Sequence, residues 1–203
     1  MVEFLTGAGL AAAAGLNAYV PMLLLGLLDR FTGLVALPDA WAWLSNEWVL
    51  VILGVLLVFE VVADKVPAVD SVNDLLQTVV RPASGGIVFG SGTAAQTTTV
   101  SDPAEFFSSN AWVPVVTGVV LALVVHLVKA AARPALNAMT GGLAAPAVSA
   151  LEDVGSVALA ASAVLLPLLV VVLLAGLVVL VVFVVRERRR ARRRNAGPSR
   201  GTA

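Results

Sequence analysis

Ten polar or ionisable residues lie in or beside stretches that are otherwise apolar: Asn17, Glu60, Asp64, Lys65, Arg81, His126, Lys129, Arg133, Glu152 and Asp153. Any chemistry this chain performs is expected there. Glu60 and Asp64 are four residues apart, so they share one helix face. Two carboxylates in a poorly solvated place suit proton or cation handling. The competing reading is a salt bridge to Lys65 or Arg81, with Asp64 and Lys65 at the lipid headgroups and Glu60 one turn deeper. His126 is the only histidine and titrates near neutral pH. One histidine with no cysteine does not make a metal site, so no metal and no cofactor is expected. His126, Lys129 and Arg133, spaced by three and seven, share a helical face. His126 with Glu152 or Asp153 would be the one acid–base pair for catalysis. No nucleophile elbow, zinc-protease helix or P-loop pattern is present. Binding or passage is therefore favoured over an enzymatic reaction.

The elements that carry these residues are membrane-like. The chain has 203 residues, 59% hydrophobic and 13% charged, against about 25% charged in a soluble domain. The net charge of zero hides an asymmetry. Residues 186–203 hold eight arginines and one glutamate, so this tail carries +7 and the preceding chain −7. The N-terminus lacks a basic flank and reads as part of the first membrane helix rather than a cleavable leader.

Taken in order, residues 4–28 form a first apolar segment. Its small residues, Gly7 to Gly15, allow close helix packing. Asn17 and Pro21 fall near its middle, where Pro21 removes a hydrogen bond and frees the carbonyl at position 17. This is either an ordinary kink or a broken helix that exposes backbone to a ligand. Trp41, Trp43 and Trp48 suit a membrane–water interface. Residues 48–64 form the second span. Residues 68–80 alternate Val69, Val72, Leu75, Leu76 and Val79 with Asp70, Asn73, Asp74 and Gln77, predicting an amphipathic interfacial helix. In the Gly-rich stretch 83–100 the apolar part, Gly85 to about Ala95, is too short to span; it is a re-entrant element or a surface loop. Residues 111–128 form the third span. Ser149 and Glu152 suggest a capping box at the start of the fourth. That span is uncharged from Val154 to Val185 and long enough to tilt, or to kink at Pro167.

Asn46–Lys65 aligns without gaps to Asn110–Lys129. Nine of the twenty positions agree, among them Asn46/Asn110, Trp48/Trp112, Gly54/Gly118 and Lys65/Lys129. Consecutive spans cross in opposite directions, so four spans with these repeat cores (46–65 and 110–129) predict an inverted repeat. The fold class expected is an all-α membrane protein, one polytopic domain over 1–185 followed by a basic cytoplasmic tail at 186–203. Arginines stay on the cytoplasmic side, which puts both termini there. Glu60, Asp64, Lys65 and Arg81 then fall toward the cytoplasm, and His126, Lys129, Arg133, Glu152 and Asp153 toward the outer face.

Gly15-Leu-Asn17-Ala-Tyr19-Val-Pro21, Glu60-x-x-x-Asp64-Lys65-x-Pro67-x-x-Asp70, Arg81-Pro82, His126-x-x-Lys129 and Gly141-Gly142…Ser149-x-x-Glu152-Asp153 resemble a bacterial membrane family known as domain of unknown function 4126. The resemblance implies a small multi-pass inner-membrane protein and no particular reaction. From the residues, the leading expectation is a transporter or permeation protein for a small solute or ion, proton-coupled and working as a homodimer. The alternative is a non-catalytic membrane scaffold or lipid-binding protein. Membrane lipids are the expected partners, with anionic lipid at the arginine tail; nucleic acid is not.

Overall fold

The structure, a computed structural model, describes residues 1–65, 67–92, 110–140 and 145–176, with residues 178, 179, 182 and 186. Residues 93–100, Gly141-Gly142 and the tail beyond Arg186 lie outside the described residues. All the regular structure described is helical: α1 Val2–Leu16, α2 Tyr19–Phe31, a 3-10 segment Asp39–Ser45, α3 Glu47–Ala63, α4 Pro67–Gly92, α5 Trp112–Thr140, α6 Ala145–Leu165 and α7 Pro167–Gly176. Two stretches, Trp112–Arg133 and Pro146–Leu165, are long and apolar enough to cross a membrane. A third candidate is α3 taken together with the 3-10 segment, which meets it at a 61° bend.

The packing is inside out relative to a soluble protein. On α4, Val69, Val72, Leu75, Leu76 and Val79 are exposed, while Asn73, Gln77 and Arg81 are buried. On α3, Val51, Ile52, Val55, Val58 and Phe59 face outward and Glu60 inward. An apolar exterior around a polar interior is stable only where the surroundings are themselves apolar. The expected interfacial helix with its polar face to water is thereby corrected: the polar face of α4 is its buried face.

The glycines correct a second expectation. Residues 67–92 form one continuous helix through Arg81-Pro82 and all four glycines up to Gly92, so the described part of 83–100 is helix and not a loop. Glycine is a poor helix former, but here it permits close approach. A Cβ on Gly85 would collide with Ala122 Cβ, and one on Gly118 would collide with the Gly85 carbonyl oxygen. The backbones of α4 and α5 touch, the small-residue packing of membrane helices. Ten consecutive residues of α1, Gly7 to Leu16, are buried. The small side chains among them let α4, α5 and α6 close around α1.

Contacts fix the helix directions. Arg81 meets His126, Gly85 meets Ala122, and Gly90 meets Val115, so α4 and α5 are antiparallel. Gly92 lies against Gly7 and Leu10, so α1 runs opposite to α4. Gly26 of α2 lies against Leu44 and Leu50, while Trp41 of the adjoining 3-10 segment lies against Gly90. The outer ends of α1 and α2 are therefore at the same end of the bundle. These two helices form a hairpin with its tip at Asn17-Ala18, rather than one kinked span. At about 1.5 Å per residue each arm is roughly 20 Å long, short of a hydrocarbon core of about 30 Å.

Glu60 near the end of α3 and His126 in α5 both reach Arg81, and the helices that carry them start at the tryptophan end. The repeated helices α3 and α5 are parallel, not inverted, because α4 runs the full height between them. The matched asparagines do have a local role. Asn46 accepts a bond from the Trp48 N–H at 3.0 Å, and Asn110 takes a left-handed φ of 57° just ahead of α5, a conformation asparagine tolerates. The last apolar segment breaks at Leu166, ahead of Pro167, as a helix must where a proline lacks its donor. Ser149 lies inside α6, a turn past its start, so it is not a capping residue.

Candidate functional site: a buried ion network at the hairpin tip

Asn17 organises the break between α1 and α2. Its Oδ1 accepts from the N–H groups of Tyr19 (3.1 Å) and Val20 (3.2 Å), capping α2, and its Nδ2 donates to Asp153 at 3.0 Å. Interrupting the helix releases backbone carbonyls, and buried carbonyls need partners. Leu16 O accepts from Lys129 Nζ at 3.1 Å, and Ala18 O accepts from Ser84 Oγ at 2.5 Å. Ser156 Oγ donates to Ala13 O at 2.9 Å, one turn earlier. The break was expected to free the carbonyl at 17 through Pro21; the carbonyls seen to be captured are those of residues 16 and 18.

Below the tip, charges from four helices converge. Arg81 is fully buried. It donates to Glu60 Oε1 at 2.8 Å through Nη2, which is also 3.7 Å from Asp64 Oδ2, and Nη1 faces His126 Nδ1 at 3.2 Å. Asp64 Oδ2 further receives Lys129 (3.3 Å) and Arg133 (3.1 Å), and its Oδ1 accepts from Asn73 at 2.8 Å. Glu152 pairs with Lys129 at 3.0 Å and Arg133 at 2.7 Å. Lys65 lies 3.8 Å from Asp153 and donates to the Val61 carbonyl at 2.9 Å. Glu60, Asp64 and Glu152 thus meet Arg81, Lys129 and Arg133 around one centre, with the Lys65–Asp153 pair beside them and Asp74 close enough to feel Lys129, Arg81, Asp64 and Glu152. Pairing of opposite charges is what low-dielectric surroundings require.

Two expectations fail here for one geometric reason. The carboxylates and the His126 cluster were placed on opposite faces; because α3 and α5 are parallel, they form one network. Asp64, expected at the headgroups, is 2% exposed. Lys129, Arg133 and the Asn73 amide bond it there and Arg81 lies close by, so its charge is met from three sides. His126 does not pair with Glu152 or Asp153. The Arg81 guanidinium can only donate, so His126 Nδ1 accepts and the ring proton sits on Nε2, 3.0 Å from Thr78 Oγ1. Thr78 in turn donates to the Asp74 carbonyl at 2.8 Å. The proposed catalytic pair is therefore not formed.

All ten residues singled out from the sequence join this network. Tyr19, Asn73, Gln77, Thr78 and Ser84 also belong to it or border it and were not picked out. A signal for three of them was present: 73, 77, 81 and 84 form one helical stripe, legible once α4 is allowed to continue through Pro82. Three buried carboxylate or amide oxygens, Glu60 Oε2, Asp74 Oδ1 and Gln77 Oε1, have no hydrogen-bond partner among the described residues. An unmet buried acceptor costs about 1–3 kcal/mol.

Among the described residues no group of three or more histidine, cysteine or acidic side chains could hold a metal ion. The exposed tryptophans Trp43, Trp48 and Trp112 gather at the end where α3 and α5 begin, a one-sided aromatic belt. From Trp48 to Glu60 is about 18 Å along α3 at 1.5 Å per residue, which sets the network deep below that belt. No curated protein and no solved structure matches the chain. The family model described as domain of unknown function (DUF4126) matches residues 4–187, nearly all of the helical region, and the chain belongs to that family.

Proposed function

We propose that this is a permeation protein for a small solute or ion, proton-coupled, working in the bacterial inner membrane with Glu60 as the coupling carboxylate. The observation that carries the reading is the meeting of a broken helical hairpin with a buried charged network. Transporters use interrupted helices to turn backbone groups toward a site at membrane depth, and intramembrane ionisable groups mark pathways more often than not. In this reading α3, α4, α5 and α6 cross the membrane and α1/α2 enters and returns on one side. The arginine tail holds the C-terminus in the cytoplasm and binds anionic lipid, the N-terminus lies on the same face, and a second copy completes the pathway.

The test is reconstitution of the purified full chain in liposomes carrying an internal pH dye, with potentials and pH gradients of both signs, repeated with monovalent cations and anions. Flux above that of protein-free liposomes, lost in a folded Glu60→Gln variant, is the expected result. Flux equal to protein-free liposomes for every species would refute it.

A scaffold or lipid-binding role is the second reading, favoured by the internal pairing of the network's charges. It expects that exchanging the charges of Lys129 and Glu152 restores thermal stability lost in either single reversal, with no flux in any variant.

A further inference from the structure

The charged side chains of the network become more exposed toward one end of the bundle. Side-chain exposure is 0% at Arg81, 7% at Arg133, 14% at Glu152, 20% at Asp153 and 39% at Lys65. From Trp112 to Arg133 is about 31 Å along α5 at 1.5 Å per residue, one hydrocarbon thickness. Lys65 and Asp153, 3.8 Å apart, are thus the outermost pair, at the boundary opposite the tryptophan belt. Toward the belt the bundle is shut. Leu10, Val88, Phe89 and Ala122 are buried, and the backbones of α4 and α5 touch at Gly85 and Gly118. Beyond Ser84, the buried Ser91 hydroxyl is already bonded to the Val88 carbonyl. The course of α6 says which boundary is which. It runs from Asp153 beside Asn17, past Ser156 beside Ala13, to Ala163 beside Gly9. It therefore carries the C-terminal segment toward the end at which α1 begins, and the arginines that follow mark that end as cytoplasmic.

We infer that the network is entered from the extracytoplasmic face alone, and that the Lys65–Asp153 ion pair is the latch across its mouth. The inner pairs are close, 2.7 Å between Arg133 and Glu152 and 2.8 Å between Arg81 and Glu60. Lys65 and Asp153 are 3.8 Å apart and partly exposed, the kind of pair that contributes little to stability and parts readily. Lys65 follows the last turn of α3 and has a second hold, the Val61 carbonyl at 2.9 Å. It can leave Asp153 by turning on its own stem while keeping that bond, so no helix has to move. Asp153 does not swing with it, because its Oδ1 stays on Asn17 Nδ2 at 3.0 Å. Opening bares Asp153 Oδ2 beside the hairpin tip. An entering species then first meets a carboxylate, which attracts cations. The latch is joined to the tip through Asn17, whose other side-chain atom caps α2.

This mouth deepens the permeation reading and rests on it for its purpose, but its test does not need flux. The chain has no cysteine, so single cysteines placed in the full chain report without background. In intact spheroplasts a membrane-impermeant sulfonated maleimide should label Lys65→Cys. Ala42→Cys, in the tryptophan segment, and Ser199→Cys, in the tail, should be labelled only after permeabilisation. Ser156 is fully buried one turn inside Asp153, and Ser156→Cys exchanges a single atom. Silver ion added outside should react slowly with that thiol, read as loss of maleimide labelling after denaturation. Adding Lys65→Gln should speed the reaction roughly two- to fivefold, as loss of one exposed ion pair allows. Ser91→Cys, toward the belt, should not respond to Lys65→Gln. Ser84→Cys makes the interior test if Ser156→Cys does not fold. Labelling of Lys65→Cys only after permeabilisation, labelling of Ser199→Cys before it, or an interior thiol indifferent to Lys65→Gln overturns the inference. The expected labelling without flux in liposomes leaves the one-sided mouth standing and refutes permeation; flux with Lys65→Cys reached only from the inside does the reverse.

Discussion

Replacing Arg81 by methionine should destabilise this protein more than any other single change within the network. The side chain is fully buried and bonds Glu60 at 2.8 Å and His126 at 3.2 Å, with Asp64 at 3.7 Å. Methionine fills much of the volume but leaves Glu60 as a buried charge with its nearest cation gone. Removing one partner of a buried pair costs about 3–5 kcal/mol. For a chain of this size each kcal/mol moves the melting temperature by about 2–4 °C, so the loss should be roughly 6–20 °C. The four tryptophans give the signal: intrinsic fluorescence on heating, in one detergent, with size-exclusion chromatography before and after. Glu60→Gln alone should also destabilise, and the Arg81→Met/Glu60→Gln double variant should be more stable than the two separate losses add up to, because each single variant strands the other charge. A melting temperature for Arg81→Met within about 2 °C of wild type, or strict additivity in the cycle, would refute the idea that this pair is desolvated.

Gly118 and Gly54 occupy matched repeat positions but should respond in opposite ways. A Cβ at Gly118 collides with the Gly85 carbonyl oxygen and Phe89 Cβ, whereas Gly54 has nothing within 4 Å. Gly118→Ala should cost about 1–3 kcal/mol by overpacking, and Gly54→Ala should gain about 0.5–1 kcal/mol from helix propensity; melting in detergent reads both. Ser84→Ala strands the Ala18 carbonyl at the hairpin tip and should cost about 1–3 kcal/mol, seen as lower melting and faster amide exchange around residues 17–20. Lys129→Met removes a cation from both Asp64 and Glu152 and frees the Leu16 carbonyl, and should cost about 3–5 kcal/mol, read as a lower melting temperature in detergent.

The sequence alone determined that this is a helical protein with an apolar exterior, because composition and runs of valine and leucine are local and additive. It also picked out ten residues that the structure gathers into one network, since charges within such runs stand out one residue at a time. Asn17 was legible as a break, because proline and asparagine act on the backbone within a turn.

Direction was not legible. Whether α3 and α5 run parallel depends on whether α4 runs the full height between them, and four glycines with an internal proline argued locally against a long helix. Contact with α5 overrode that propensity: the same glycines that weaken a lone helix let two backbones meet at Gly85 and Gly118. Which face of α4 is buried was misread for a related reason. A period of 3.6 marks two faces but does not say what solvent each meets, and an apolar face is the outer one when the surroundings are apolar. Only the tertiary structure decided that Arg81 joins Glu60 to His126, since those residues are held together by the crossing of three helices and by no pattern along the chain.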